Sequence, residues 1–433
     1  MTGTGSTQDR LHARTVPLDY GPDALQFDGS PTVLFDRPGL TLVGWGTAQL
    51  IEAADVTATL AAIECDDQVN RTGSGVVALG ALPFTDCMSG VMAVPRFTMG
   101  IATDPDGRVH RWATAVGPLD RPLPETEELF DAVIWQYGTN AEAPKDVDVL
   151  EFSTVLDSAG YAQLVSRAVS TMQAPGATLG KVVLSRPLTA TLSGTLPLSA
   201  ILRRLRAHEP ACTVFSMPVP DGVFFGASPE LLVARRGRRV TAHPLAGTVA
   251  RGATARLDAD AQGQLAASTK AQSEHHYVVE AIAAVLEPAC TTLTVPGAPS
   301  LVAFRSVAHL GTRIDGELTE PAASVLDLLA RLHPTPAVGG TPRTEALAFI
   351  EAGEPTPRGY WAGPVGWADG KGNGEWMIGI RSARLHLEGD IVTLQAGAGI
   401  VADSDPTAEA TEVNVKLASV LEAVVPGSST QLR

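Results

Sequence analysis

Between residues 30 and 135 the apolar positions come in short alternating runs, such as Thr41-Leu-Val-Gly-Trp45 and Ala93-Val-Pro-Arg-Phe97, separated by Gly and Pro turns such as Ser89-Gly90. Alternation with a period of two predicts short β-strands. A helical pattern interrupts the series from Val56 to Ile63. Asn140 to Asp148, rich in Ala, Pro and Asp, predicts a surface connection, and Leu156 to Met172 a helix that stops before Pro175-Gly176. Farther on, Val278, Val279, Ile282, Ala283 and Leu286 recur at helical spacing behind Lys270-Ala-Gln-Ser-Glu274-His275-His276. Near the C-terminus, Gly397-Ala-Gly-Ile-Val401 predicts a glycine-loosened turn that lets backbone N–H groups approach a ligand. The helix predicted after it carries Glu409, Glu412 and Lys416 at spacings of three and four, hence on one face.

Composition narrows the class without naming a chemistry. The 433 residues are 45% hydrophobic and 18% charged, enough for a large core, and the length allows two or three domains or one large α+β unit. A formal net charge of -15 argues against nucleic acid or an anionic membrane as a partner, because the long-range field repels both. No apolar run approaches the ~18 residues of a membrane span. The polar, glycine-rich start lacks the apolar core of a signal peptide, so residues 1–25 are expected to be a disordered lead-in and the protein cytoplasmic. Cys65, Cys87, Cys212 and Cys290 are scattered as expected of buried free thiols.

The candidate chemistry lies in the two acidic helices. Carboxylates from two helices, completed by water and substrate oxygens, suit Mg²⁺, which prefers hard oxygen ligands and keeps part of its hydration shell. No Cys-x-x-Cys or His-Glu-x-x-His pattern supports zinc. Gly73-Ser-Gly75 with Gly80 matches neither a dinucleotide fingerprint nor a P-loop and is read as turn glycines. There is no internal repeat and no Gly-x-Ser-x-Gly elbow.

In order, the second half contains Lys181-Val-Val-Leu-Ser-Arg186, Phe225-Gly-Ala-Ser-Pro-Glu230, Pro244-Leu-Ala246-Gly-Thr248, Lys270 to His275, His309-Leu, Leu332-His-Pro-Thr-Pro-Ala337-Val-Gly-Gly340, Gly363-Pro-Val-Gly-Trp367, Ile380-Arg381 and the Gly/Glu motif. This series resembles the chorismate-utilising enzymes, most closely their isochorismate synthase branch, over residues 175–425. The resemblance implies one mixed α+β unit over residues 26–425, with a large β core wrapped by helices, the site between its layers, and a need for Mg²⁺.

Carried over residue by residue, the resemblance implies that Lys181 is a general base that activates water. The ammonia-using branches typically carry Gln there, and an amide cannot take a proton from water. Glu230 would be the matching acid, since desolvation favours a protonated carboxyl, and the pair would convert chorismate to isochorismate by adding water at C2 as the C4 hydroxyl leaves. The resemblance assigns Arg381 and the amides around Gly397 and Gly399 to the enolpyruvyl carboxylate, with Lys416, Thr248 and His309 nearby. Glu274 and Glu412 would hold the metal, and Glu409 would act through water. His275, His276, His333 and His243 are read as structural. Ala246 replaces the Lys of aminodeoxychorismate synthases and can form no covalent adduct. No amidotransferase subunit is expected, and the chain is expected to be a monomer.

Two positions depart from the family pattern. Trp361 stands where relatives have Tyr or Phe, unless Tyr360 takes that place, and Ala271 stands where an acidic or amide residue is common. The nearest alternative activity is that of a salicylate synthase, which adds pyruvate elimination from bound isochorismate. Small Ala337 together with Ile380 favours release of isochorismate.

Overall fold

Leu40–Glu52 and Val91–Thr103 are strands of 13 residues each, paired antiparallel from Leu40↔Ala102 to Glu52↔Val91. Both are longer than the short segments the glycine spacing predicts. Their glycines serve close approach as well as turning: a Cβ at Gly44 would lie 2.4 Å from Pro95, and one at Gly100 would lie 2.0 Å from the Trp112 ring. The computed structural model describes residues 10–19, 32–125, 128, 147–252, 254–305 and 307–428.

From these strands, pairing extends in two runs. The first passes through Leu11–Leu18, Val109–Pro118, Val91–Thr103, Leu40–Glu52, Val33–Arg37 and Thr213–Val219. It continues through Gly222–Ser228, Ser382–His386, Ile391–Ile400, Lys181–Leu192 and Val149–Ser153. The second run joins Val77–Ala81, Pro364–Asp369, Gly374–Ile378, Leu231–Arg236, Arg239–His243, Ile314–Leu318 and Cys290–Thr294. Leu79↔Ala93 links the two. Phe35, Leu42, Trp112, Phe215 and Trp367 from both runs are buried in one cluster, and each such side chain contributes roughly 1.5–3 kcal/mol of burial. Strands from both halves of the chain therefore share one core in an α+β fold.

The N-terminal expectation needs correction. Leu11–Leu18 is a strand, antiparallel to Val109–Pro118 and parallel to Glu64–Asp67. Ala13 and Val16 are buried, and the Thr15 and Thr114 hydroxyls meet at 2.8 Å. Polar, glycine-rich neighbours hide this short alternation in the sequence. The rest of the expected lead-in, apart from Arg10 and Asp19, and most of the 140–148 connection lie outside the described residues. Cysteines also differ from expectation: Cys87 and Cys212 are buried, but Cys65 is exposed and Cys290 half-buried.

The Ser158–Gln173 and Pro406–Val424 helices pack against the Lys181 and Ile391 strands, and the Thr269–Leu286 helix packs against the small sheet described below. Pro406–Val424 begins on Asp405, whose side chain accepts from the Ala408 amide at 2.7 Å, with Pro406 at the first helical position. Thr269–Leu286 begins on Ser268, which accepts from the Ala271 amide at 3.2 Å, and buries Val278, Ile282 and Leu286 on one face. Each such cap stabilises its helix by about 1 kcal/mol. A second sheet of three strands, Leu245–Ala250, Val307–Gly311 and Ser300–Ala303, stands beside them.

Candidate active site

The Ile391–Ile400 strand ends in Gly397-Ala-Gly399-Ile, paired antiparallel with Lys181–Leu192 through Gly397↔Ser185 and Gly399↔Val183. The predicted glycine turn is therefore a strand end. Its glycines are required by what crosses them: a Cβ at Gly399 would lie 2.1 Å from Glu274 Oε1 and 3.1 Å from Lys181 Cε. At Gly397 a Cβ would lie 2.6 Å from the Leu184 carbonyl and 2.9 Å from the Trp361 ring. Over this bare strand lies a cavity of about 370 Å³.

The large sheet and its edges, the two acidic helices and the small sheet all contribute to the cavity wall. Glu230, Thr248, Glu274, His309, Arg381, Gly397, Gly399, Glu409, Glu412 and Lys416, all expected from sequence, line it. Lys181 is the exception. It is fully buried, and its Nζ lies 3.0 Å from Oε1 of Glu274, which itself faces the cavity.

Electrostatically the wall alternates acid and base. Lys270 Nζ donates to Glu409 Oε1 at 2.5 Å, and Lys416 Nζ lies 2.7 Å from Glu412 Oε1 while donating to the Gly397 carbonyl at 2.9 Å. Burial pushes the Glu409 carboxyl up, against the opposing pull of Lys270. At Glu412 burial acts in the same direction, but Lys416, Lys270 and Arg381 together outweigh it and hold the carboxyl below its usual value. Lys270 is a site residue that the motif reading missed. Its spacing of four from Glu274 was a signal, but its partner Glu409 is 139 residues away.

Glu230 sits between the Gly222–Ser228 and Leu231–Arg236 strands and is nearly inaccessible. Burial pushes its carboxyl up to about 8, only partly opposed by Lys181 and by a backbone hydrogen bond from Leu245. At neutral pH it therefore carries a proton that it can donate.

On the small sheet, Thr248 and His309 are paired residues, with the Thr248 hydroxyl 3.1 Å from His309 Nδ1. His309 Nε2 faces Arg381 Nη2 at 3.3 Å. Burial, Arg381 and Lys416 pull this imidazole down to about 3. The histidines read as structural have partners outside the cavity: His275 Nε2 meets the Thr312 hydroxyl at 2.7 Å, His333 Nε2 the Phe84 carbonyl at 2.9 Å, and exposed His276 pairs with Glu280 at 3.0 Å.

Glu274, Glu409 and Glu412 offer an oxygen-only donor set of the kind a hard cation takes. Among the described residues, however, no group of three or more His, Cys, Asp or Glu side chains is gathered for a metal, and each of these three carboxylates is engaged by a lysine. A cation held by Glu274, Glu409 and Glu412 would have to displace these lysines and take its remaining ligands from water and substrate. No helix among the described residues is long and apolar enough to cross a membrane.

The family model described as "Chorismate binding enzyme" matches residues 47–425. The chain is 35% identical over 364 residues, 82% of its own length and 88% of the relative's, to a Mycobacterium tuberculosis protein (MenF) to which isochorismate synthase activity is provisionally ascribed. It is 38% identical over 278 residues to the Escherichia coli isochorismate synthase EntC, covering 64% of this chain and 70% of that one. The solved structure of the menaquinone-specific isochorismate synthase MenF from Escherichia coli superposes with a TM-score of 0.79 at 25% identity, covering 96% of this chain and 94% of that one.

Proposed function

The chain belongs to the chorismate-binding enzymes, and on that premise we propose that it is an isochorismate synthase, an isomerase that takes chorismate to isochorismate. Water adds at C2, the ring double bonds shift, and the C4 hydroxyl leaves as water, so one water enters and one departs. The observation that carries the reading is Glu230, a carboxyl on the cavity wall pushed up to about 8 and so protonated when the leaving hydroxyl needs a proton.

Lys181 is the proposed base toward water. Its Nζ lies 3.0 Å from Glu274 Oε1, so the role requires Glu274 to turn to another partner when the site fills. Arg381 and Lys416 supply the positive charge that a dicarboxylate substrate needs. Lys181 also supports a chain that works without an ammonia-supplying amidotransferase, and we take the enzyme to act as a cytoplasmic monomer.

Glu274 and Glu412, with Glu409 through water, are the residues that would hold Mg²⁺. When bound, the ion would neutralise a substrate carboxylate. The test is to incubate purified protein with chorismate and Mg²⁺ and identify products by mass. Isochorismate is expected, and chorismate recovered unchanged would overturn the reading.

A further inference from the structure

Behind the cavity wall lies an ion pair that the reaction does not use, Glu354 with Arg358, whose side chains are only 4% and 2% exposed. Glu354 follows the Arg343–Gly353 helix, and its Oε1 accepts from Arg358 Nη2 at 2.5 Å, from the Ser185 amide at 2.8 Å and from the Ser185 hydroxyl at 3.0 Å. Its Oε2 accepts from Arg358 Nε at 2.8 Å. Two of the guanidinium's other three hydrogens go to backbone carbonyls, Val338 at 2.7 Å and Val183 at 2.6 Å. It also stands 4.5 Å from the Phe84 ring centroid and 5.1 Å from that of Trp361.

Val183, Val338 and Trp361 all line the catalytic cavity, and they come from three separate stretches of chain. The same pair also sets the polarity of a fourth wall residue. A carboxylate only accepts, so the Ser185 hydroxyl donates to Glu354 and must accept from Gln395, whose Nε2 lies 2.8 Å away. The Gln395 amide nitrogen is thus turned to Ser185, and its carbonyl oxygen is left for other partners. Gln395 and Trp361 stand between the catalytic cavity and a neighbouring one of about 400 Å³, lining both.

We propose that Glu354 and Arg358 are positioning residues for the reaction: they lock the Lys181 strand, the Ala337–Val338 loop, Trp361 and the Gln395 amide into one wall. Taking two charges out of water is costly, and pairing recovers that cost only with excellent geometry, so such a pair is a poor device for stability alone. It is a good device for fixing backbone carbonyls from separate segments, because the guanidinium fork is planar and lysine cannot reproduce it.

The inference rests on the proposed reaction, so wild-type turnover of chorismate is the control: its absence counts against that reading, not against the pair. Kinetics and melting curves are then compared for Arg358→Lys and for the double variant Glu354→Leu with Arg358→Met, which replaces the ions by apolar groups. Assays run well below each melting temperature. The expected result is kcat lower by about tenfold or more, with KM changed much less, in whichever variants fold, including a double variant that melts near wild type. Wild-type kcat in any folded variant lacking the fork, or a kcat loss that merely follows the melting temperature, would overturn the proposal.

Discussion

His309 Nε2 accepts a hydrogen bond from Arg381 Nη2 at 3.3 Å, while its Nδ1 lies 3.1 Å from the Gly247 carbonyl. A guanidinium only donates and a carbonyl only accepts. The imidazole is therefore neutral, with its proton on Nδ1, and it acts as a fixed acceptor that aims Arg381 across the cavity. His309→Phe keeps the ring volume but leaves Arg381 without that acceptor. A rise in KM for chorismate is expected, with kcat less affected, in steady-state assays. An unchanged KM would separate Arg381 from His309.

A stability consequence follows from the same burial. His309 and His333 are held near 3 and 4 against an ordinary value of 6.5, in both cases first by desolvation. Both are depressed, so the unfolded chain binds protons that the folded one refuses. Stability is then greatest above pH 6.5 and falls as pH drops toward 4, by about 1.4 kcal/mol per pH unit for each histidine. Denaturant melts at pH 7.5, 6 and 5 test this, and a variant His333→Gln should show a shallower fall.

Glu230 predicts the opposite limb for activity. Its proton is present below about 8 and lost above, so kcat/KM should decline as pH rises through that value. Glu230→Gln should lower turnover by about 10²–10⁴-fold, as should Lys181→Ala, with both proteins folded. Near-normal rates in Lys181→Ala would move the base elsewhere.

How much of this was readable from residues alone depends on separation along the chain. The helices at Thr269–Leu286 and Pro406–Val424 were legible because the spacings of Val278, Ile282 and Leu286 and of Glu409, Glu412 and Lys416 are local, whereas their caps on Ser268 and Asp405 were not read. Glu230 was legible as a protonated acid because Ser228-Pro-Glu230 sits among apolar neighbours. Lys181 was singled out through the family resemblance, but its complete burial and its pairing with Glu274 are tertiary. So are Lys270 with Glu409 and Arg358 with Val183, which join groups 139 and 175 residues apart. The glycines of Gly397-Ala-Gly399 were misread as a turn because their reason is the room that Glu274 and Trp361 occupy, which no local pattern carries.

That room gives a sharp mutational test. Gly399→Ala places a methyl 2.1 Å from Glu274 Oε1 and 3.1 Å from Lys181 Cε, so both side chains must move. Because the closest atom is the free end of the flexible Glu274 side chain, the stability loss should be small, and activity should fall far more than that loss explains. Wild-type kcat in Gly399→Ala would show that the Glu274 position is unimportant.

Chelation should abolish turnover reversibly, because few protein ligands and several waters make for weak Mg²⁺ binding. Glu412→Gln should raise the Mg²⁺ concentration needed for half activity and weaken Mg²⁺ binding measured by calorimetry. Full activity in excess chelator would end the metal assignment.

Ala337, Val338, Trp361 and Ile380 line the cavity, and the expected product rests on their sizes. Pyruvate loss from isochorismate needs the side chain folded over the ring, and a site that makes salicylate must hold that compact form. Ala337 is small and carries no hydroxyl to fix a folded side chain. Trp361 acts in the other direction, since its buried indole is a large ring against Gly397, and its Nε1 has no hydrogen-bond partner among the described residues. The smaller residues are expected to prevail, so isochorismate should accumulate with salicylate a minor product at neutral pH. In a time course, salicylate and pyruvate rising in equal amounts from the start, with no isochorismate accumulating, would instead identify a salicylate synthase. Trp361→Phe then tests the cause: if the indole narrows the cavity, the variant should make even less salicylate than the parent.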